Sequence, residues 1–329
     1  MADELLYVCP RCRGSLLLEK ENVIRCVSCS LDFPIHSGIP DFRIQRDDDE
    51  GETERVKRLL DSYHRASFLE LVELNLNPQA PDDLKELDVE YERRNVERGR
   101  ERAFVISKLG FPVEGGELFL DLGCGTGGAL AAFSPFFSRV VGVDISLPDL
   151  ILARKLLDEL SIDNAVLICA SAEALPFPDD LFDLINATDV IEHIRDQKAF
   201  LREGYRVLRP GGAFCFNSPN RFNVFGPEPH VNLWWIGFLP RKLMKGYVKF
   251  RKGIEYSGIK LLSYREVKRM VDEVADSYEI KGAVIAPSSC PNSLKRRIAG
   301  KIGPAVEIAN LFLKPLIPGY QIAVFKEGG

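Results

Sequence analysis

Asp121-Leu122-Gly123-Cys124-Gly125-Thr126-Gly127-Gly128 is the stretch that decides the fold. It follows Glu117-Leu118-Phe119-Leu120, an apolar run that reads as a buried strand. It precedes Ala129-Leu130-Ala131-Ala132-Phe133, which reads as the start of a helix. A glycine-rich turn from strand to helix lets a ligand lie directly on backbone, where side chains would block it. Gly123, Gly125 and Gly128 also satisfy the G-x-G-x-x-G spacing of dinucleotide sites, so the turn alone leaves the ligand open. Asp121 tilts the choice. A carboxylate at the strand end repels a pyrophosphate and suits a cationic amine, such as that of a methionine moiety.

Further motifs follow in order. Arg139-Val140-Val141-Gly142-Val143-Asp144 reads as a second strand ending in an acid, which in a doubly wound sheet accepts hydrogen bonds from ribose hydroxyls. The strand Ala165-Val166-Leu167-Ile168 leads into Ser171-Ala172-Glu173-Ala174-Leu175-Pro176-Phe177. Then come Phe182-Asp183-Leu184-Ile185-Asn186-Ala187-Thr188-Asp189 and Leu208-Arg209-Pro210-Gly211-Gly212 before Ala213-Phe214-Cys215-Phe216. Together these resemble the class I S-adenosylmethionine-dependent methyltransferases, over roughly Ala103 to Lys326. A nicotinamide dehydrogenase is the competing reading.

The resemblance implies an α/β fold, a doubly wound, Rossmann-like sheet of seven strands. Tyr278 to Ile285 and Gln321 to Phe325 supply its last two strands, the final one antiparallel. It also implies a cofactor site for S-adenosylmethionine. The loop from Asp121 through Gly123, Cys124 and Gly125 to Gly127 holds the methionine end. Asp144 holds the ribose and Ile145 packs on the adenine. Ser171, Ala172 and Glu173 lie at the adenine edge, and Thr188 offers backbone to the methionine amine.

Cys9-Pro10-Arg11-Cys12 and Cys26-Val27-Ser28-Cys29 form two CxxC knuckles with 13 residues between them. Each knuckle presents two thiolates from one tight turn, which suits tetrahedral zinc. The segment is too short to bury a core, so a structural Zn(2+) would supply its folding energy. Two disulfides are the alternative. The following Phe33-Pro34-Ile35-His36-Ser37-Gly38-Ile39-Pro40-Asp41-Phe42 resembles the small zinc ribbons found in front of some methyltransferases, with His36 as a turn residue. Cys169 and Cys215 read as small core residues. Cys290 carries no assigned role.

The expected organisation is a zinc ribbon over 1–45, an acidic linker and helical lid over 46–102, and the methyltransferase domain over 103–329. Helical patterns run from Glu54 to about Leu76 and from Asp83 to Lys108. Tyr91, Arg93 or Arg94 on the second is a candidate for the methionine carboxylate, against the plainer reading of a charged helix. Ser146 reads as a helix cap, and Ser263-Tyr264-Arg265-Glu266 as a capping box. Two insertions exceed the minimal fold, a cap at 220–262 and a helical segment at 287–318.

The 329-residue chain has a net charge of −5, unevenly spread. Residues 41–102 hold 18 acids and 12 bases, whereas residues 239–270 hold 10 bases and 2 acids. The basic stretch suits a solvated surface, an anionic substrate, nucleic acid or peripheral contact with a membrane. The acidic start and the lack of an apolar span of about 18 residues lead to the expectation of a cytoplasmic protein with no transmembrane segment.

Asp189-Val190-Ile191-Glu192-His193 falls just past the fourth strand, with its three polar groups spaced as one face of a helical turn. It resembles the Glu-x-x-Glu-His stretch of ubiquinone-biosynthesis type O-methyltransferases, with Asp at the first position. His193 is a candidate general base. Asp189, Glu192 and His193 are candidates for a divalent cation, or Glu192 and His193 for purely structural ties. His230, in the cap, is a second candidate base. The leading function is O-methylation of a small molecule such as a quinone, lipid or saccharide precursor. One alternative is a ribosomal-RNA base methyltransferase docking through ribbon and basic cap. The other is a non-catalytic partner protein that binds cofactor.

Overall fold

A computed structural model describes residues 7–20, 22–44, 50–78, 82–113, 115–282 and 315–328. The chain opens with four short antiparallel strands, β1 (Leu16–Lys20), β2 (Val23–Cys26), β3 (Asp32–His36) and β4 (Ile39–Pro40), paired in sequence order. Four helices follow: α1 (Glu50–Ser62), α2 (Phe68–Asn75), α3 (Asp82–Arg93) and α4 (Asn95–Lys108). Each of the two expected helices is therefore broken. Ser67 caps α2 with a reciprocal Glu70 capping box, which ends α1 before it. Arg94 leaves helical geometry between α3 and α4.

The main sheet contains β5 (Gly116–Leu122), β6 (Phe137–Asp144), β7 (Ala165–Cys169), β8 (Phe182–Ala187), β9 (Leu208–Pro219), β10 (Ser277–Lys281) and β11 (Gly319–Phe325). Its order is β10-β11-β9-β8-β5-β6-β7, and β11 runs antiparallel to both neighbours. This is the expected doubly wound α/β sheet. Strand order reverses between β5 and β8, so the crevice beyond Leu122 and Ala187 is the topological switch point. Strands β5, β6 and β8 are nearly continuous apolar runs because helices cover both faces. The covering helices include α5 (Gly128–Phe133), α6 (Leu147–Glu159), α7 (Gln197–Val207) and α9 (Tyr264–Asp272). Ser146 and Ser263 cap α6 and α9 through their side chains, as their sequence contexts predict.

Ribbon and sheet share one core. Cys9, Ile24, Cys26, Phe33 and Phe42 belong to the buried cluster that also contains Leu120, Val143, Ile168 and Phe177. Tyr7 packs against Phe42 and Phe177, and the Val8 amide donates to the Pro176 carbonyl at 3.0 Å. Asp41 pairs with Cys169 alongside β7, extending the sheet edge by one bridge. The cap following β9 forms a smaller cluster of its own around Val231, Ile236, Met244, Val248 and Tyr256, built on α8 (Arg241–Lys252). The second insertion, with Cys290, lies outside the described residues except for 315–318. There Asn220 Nδ2 donates to the carbonyls of Pro315 and Ile317 at 3.0 and 2.7 Å.

Candidate active site

The glycine loop takes its shape from three left-handed residues, Gly123 (φ 72°), Gly125 (φ 48°) and Gly127 (φ 86°). Side chains rarely adopt this conformation, and a Cβ on Gly123 would also meet Val190 Cγ2 at 2.4 Å. The amides of Gly123 and Cys124 donate to the Val143 carbonyl at 2.7 and 3.1 Å, and that of Gly125 to Asp144 Oδ2 at 2.8 Å. The Ser146 amide reaches the other Asp144 oxygen at 2.9 Å. The loop is thus hung on the end of β6. Cys124 is buried and its thiol is pushed well up by that burial and by the nearby Asp144 and Asp121 carboxylates, so it is no nucleophile.

Asp121 is buried at the end of β5 and accepts from Asn186 Nδ2 at 2.7 Å. Burial pushes its carboxyl up to about 7, against the pull of Asn186. Asp144 is pushed up to about 6, again mainly by burial and against the Ser146 amide. Asn186 Oδ1 accepts from Arg102 Nε at 2.7 Å and from the Thr188 hydroxyl at 3.2 Å. A buried arginine from the lid region is therefore wired to the switch point. Sequence reasoning missed Arg102 and Asn186. Asn186 carried the readable signal, an amide inside the otherwise apolar run of β8.

The helices α3 and α4 reach the glycine loop through Glu92 and Asn95. Arg93 pairs with Glu90 at 3.1 Å and Arg94 with Glu97 at 2.9 Å, while the Arg98 guanidinium lies 3.2 Å over the Tyr91 ring. These are the local pairs of a charged helix. It is Asn95 Nδ2 that donates to Thr126 Oγ1, at 2.5 Å, and the Thr126 hydroxyl in turn donates to Glu92.

On the β6–β7 side, Ile145 projects 60% exposed. Its carbonyl accepts from Arg43 Nη1 at 3.1 Å. Arg43 is itself held by Asp41 at 2.9 Å and Glu52 at 2.9 Å, and Glu52 also accepts from the Leu147 amide at 3.2 Å. Ser171, Ala172 and Glu173 follow β7. Ser171 Oγ accepts from the Glu173 amide, and a Glu173 oxygen accepts from the Asp196 amide at 2.9 Å.

Beyond β8 the expected shared face of Asp189, Glu192 and His193 does not form. Asp189 has φ 56°, which takes it out of the 3₁₀ turn Ile191–His193, and its carboxylate accepts from Asn217 Nδ2 at 2.6 Å. His230 of the cap takes the vacated place. The His193 and His230 rings meet edge to face at 5.2 Å, and ligand atoms of Glu192, His193 and His230 lie within 4.8 Å of one another. Glu192 is buried with Oε2 unbonded among the described residues, and burial pushes its carboxyl up to about 7. The His230 ring is hydrogen-bonded at 2.5 Å to buried Glu228, which raises its pKa. His193 is lowered by burial and by His230. Two histidines in contact are thus pushed apart, one toward the base form and one toward the acid form. Glu228 is the partner the sequence reading overlooked, although it stands two residues before His230.

In the ribbon, Cys9 and Cys29 sulfurs lie 3.6 Å apart and those of Cys12 and Cys26 3.5 Å, with all four inside 4.8 Å. All four thiols stand free, at spacings well beyond the roughly 2 Å of a disulfide. Amides of Arg11 and Cys12 face Cys9 Sγ, and those of Ser28 and Cys29 face Cys26 Sγ. His36, near Asp41 at 3.8 Å, stands outside the set.

Residues 120–216 match the family described as a methyltransferase domain. The uncharacterized methyltransferase YcgJ of Bacillus subtilis is 37% identical over 153 residues, 46% of this chain and 58% of that protein. The ubiquinone/menaquinone biosynthesis C-methyltransferase UbiE of Vibrio vulnificus is 41% identical over 123 residues, 35% of this chain and 46% of that protein. The chain spans about half the length of these curated relatives. The solved YcgJ structure superposes with a TM-score of 0.44 at 20% identity, over 72% of this chain and all of that one. No helix among the described residues is long and apolar enough to cross a membrane. Residues 120–216 of the chain carry a methyltransferase domain.

Proposed function

We propose that the protein transfers a methyl group from S-adenosylmethionine to a small-molecule acceptor, with oxygen as the receiving atom. The observation that carries the reading is the approach of the glycine loop to the turn that bears the acid–base cluster: a Cβ on Gly123 would meet Val190, the residue before the turn Ile191–His193. In this reading Asp121 meets the methionine amine, and the glycine loop lies along the methionine end. Asp144 accepts from the ribose hydroxyls, both its oxygens having lone pairs to spare beyond the two amides. Ile145 covers the adenine, with Ser171, Ala172 and Glu173 at its edge, and Thr188 offers backbone near the amine. When bound, the cofactor supplies an electrophilic methyl on a sulfonium.

His193 acts on the acceptor. Its lowered pKa keeps the ring neutral at pH 7, ready to take the hydroxyl proton as the acceptor oxygen becomes nucleophilic. His230, held by Glu228, stays protonated to higher pH and is suited to orienting or polarising the acceptor oxygen. Buried Glu192 sits behind both. Holding acceptor and methyl in line supplies most of the rate, because little else in a displacement at sulfonium needs catalysis.

Cys9, Cys12, Cys26 and Cys29 fit a structural zinc. Tetrahedral zinc with bonds of about 2.3 Å places sulfurs about 3.8 Å apart, near the spacings found. All four ligands come from the chain, leaving no open position for chemistry.

The test is transfer of labelled methyl into fractionated host extract, followed by the pH profile of the purified reaction. Label is expected in lipid or soluble metabolites. In His193→Gln, kcat falls about 10²-fold or more, and the acidic limb, which lies below the ordinary histidine value of about 6.5, disappears. A product methylated on carbon would move the reading toward the chemistry in UbiE's name. Label confined to RNA would overturn it, and no transfer into any fraction would return the chain to a binding role.

A further inference from the structure

The cap is amphipathic twice over. Its inner side packs Met244 and Val248 of α8 into the small cluster beneath. Its outer side exposes Leu243, Tyr247 and Phe250, spaced i, i+4 and i+7 on one stripe of the same helix. Phe250 is 85% exposed and Leu243 59%. Just before the helix, Trp234 and Trp235 stand 53% and 63% exposed. Such large apolar groups in one short segment are not core residues left at the rim, because the cap already buries a separate apolar set.

Charge accompanies the stripe. Lys242, Lys245, Lys249, Arg251 and Lys252 are all exposed on α8, and among the described residues only Lys249 meets a carboxylate, Glu255 at 2.6 Å. The helix has no acidic residue to offset them. An aliphatic–aromatic stripe on a lysine-rich helix, with two exposed tryptophans a few residues before it in the chain, is the composition that lies in a headgroup layer, with apolar groups dipped below and bases at the phosphates.

We propose that this outer face of the cap docks on the surface of an anionic phospholipid bilayer, with α8 parallel to the membrane plane. Positive charge on the helix complements negative headgroups. Nucleic acid is the poorer fit. Leu243 stacks on no base, and stacking does not call for an aliphatic residue in line with Phe250. The inference stands on the surface alone and goes beyond the choice of acceptor, so it survives or fails separately from the methyl-transfer reading.

The test uses the full chain in flotation with vesicles of phosphatidylcholine alone and of phosphatidylcholine mixed with phosphatidylglycerol. The expected result is binding to the mixed vesicles at least about tenfold above the neutral ones, weakening with added salt. Leu243→Ser/Phe250→Ser loses that binding about tenfold or more while its melting temperature and cofactor affinity stay those of the parent, because both residues are exposed. Failure to bind anionic vesicles, or equal binding by the double variant, overturns the proposal. So does loss, in that variant, of binding to an RNA homopolymer or of self-association in sedimentation without loss of vesicle binding.

Discussion

The burial that raises the Asp121 carboxyl to about 7 also indicates which ligands can lower it again. A cationic amine placed in the crevice restores the charged form. Without such a ligand, a carboxyl raised above its unfolded value of about 3.9 contributes stability that is full below pH 4 and lost as pH rises through about 7. Asp144, raised to about 6, acts in the same sense. Cofactor-free protein should therefore lose on the order of 4 kcal/mol from Asp121 between pH 4 and pH 8, a loss that Asp121→Asn removes from its profile. Denaturant unfolding at several pH values reads this directly, and identical profiles for the two proteins would contradict it. Over the same window, affinity for S-adenosylmethionine should rise with pH in the parent. The positions of the loop glycines and of the acids at the strand ends were legible one by one, because a tight strand-to-helix turn demands glycine and the strand patterns end in Asp121 and Asp144. Arg102 was not, since a buried arginine in a helix full of bases looks like any other until Asn186 is seen 2.7 Å away.

Between elements, the decisive contact is the approach of α4 to the start of α5. A Cβ on Gly99 would lie 2.5 Å from the Gly128 carbonyl oxygen and 2.8 Å from Ala132 Cβ, and one on Gly128 would meet Asn95 Oδ1 at 2.0 Å. That closeness lets Asn95 reach Thr126 in the loop and Arg102 reach Asn186. Gly99→Ala should cost about 1–3 kcal/mol by forcing the helices apart, and should weaken cofactor binding as well. Gly246→Ala in α8, where a Cβ meets nothing within 4 Å, should instead stabilise by about 0.5–1 kcal/mol. Thermal melts of the two variants check both signs, and a neutral Gly99→Ala would show that the packing relaxes. The seven-stranded sheet and its antiparallel last strand followed from the resemblance that the motifs carry. The breaks between α1 and α2 and between α3 and α4 did not, because helical periodicity runs through them and tertiary caps decide. The turn after β8 was misread for a related reason. Asp189 has helical spacing to Glu192 and His193, but its left-handed backbone and its bond to Asn217 set it aside, and only the folded cap brings His230 to the site.

Over the whole molecule, the ribbon is fused to the main sheet rather than strung before it. Phe33 and Phe42 complete the main core, Asp41 lengthens the β7 edge, and Arg43 bonds the Ile145 carbonyl on the adenine side of the proposed site. Metal in the ribbon should therefore be felt in the crevice. Chelation at neutral pH is expected to release about one zinc per chain, lower the melting temperature and reduce S-adenosylmethionine affinity. Zinc lost with melting and affinity unchanged would make the ribbon an independent appendage. The four cysteines were readable from spacing alone, whereas this coupling rests on Asp41, Arg43 and Glu52, whose contacts with Cys169, Ile145 and Leu147 lie far away in sequence.

The most direct test of the central claim is calorimetric titration of the purified chain with S-adenosylmethionine, run beside Asp144→Ala. Saturable binding at one site per chain, lost at least about 100-fold in a variant that still melts cooperatively, though earlier because the Gly125 and Ser146 amides lose their acceptor, is the result expected if Asp144 meets the ribose hydroxyls in this crevice. Undiminished affinity in Asp144→Ala, or no binding by the parent, would contradict it.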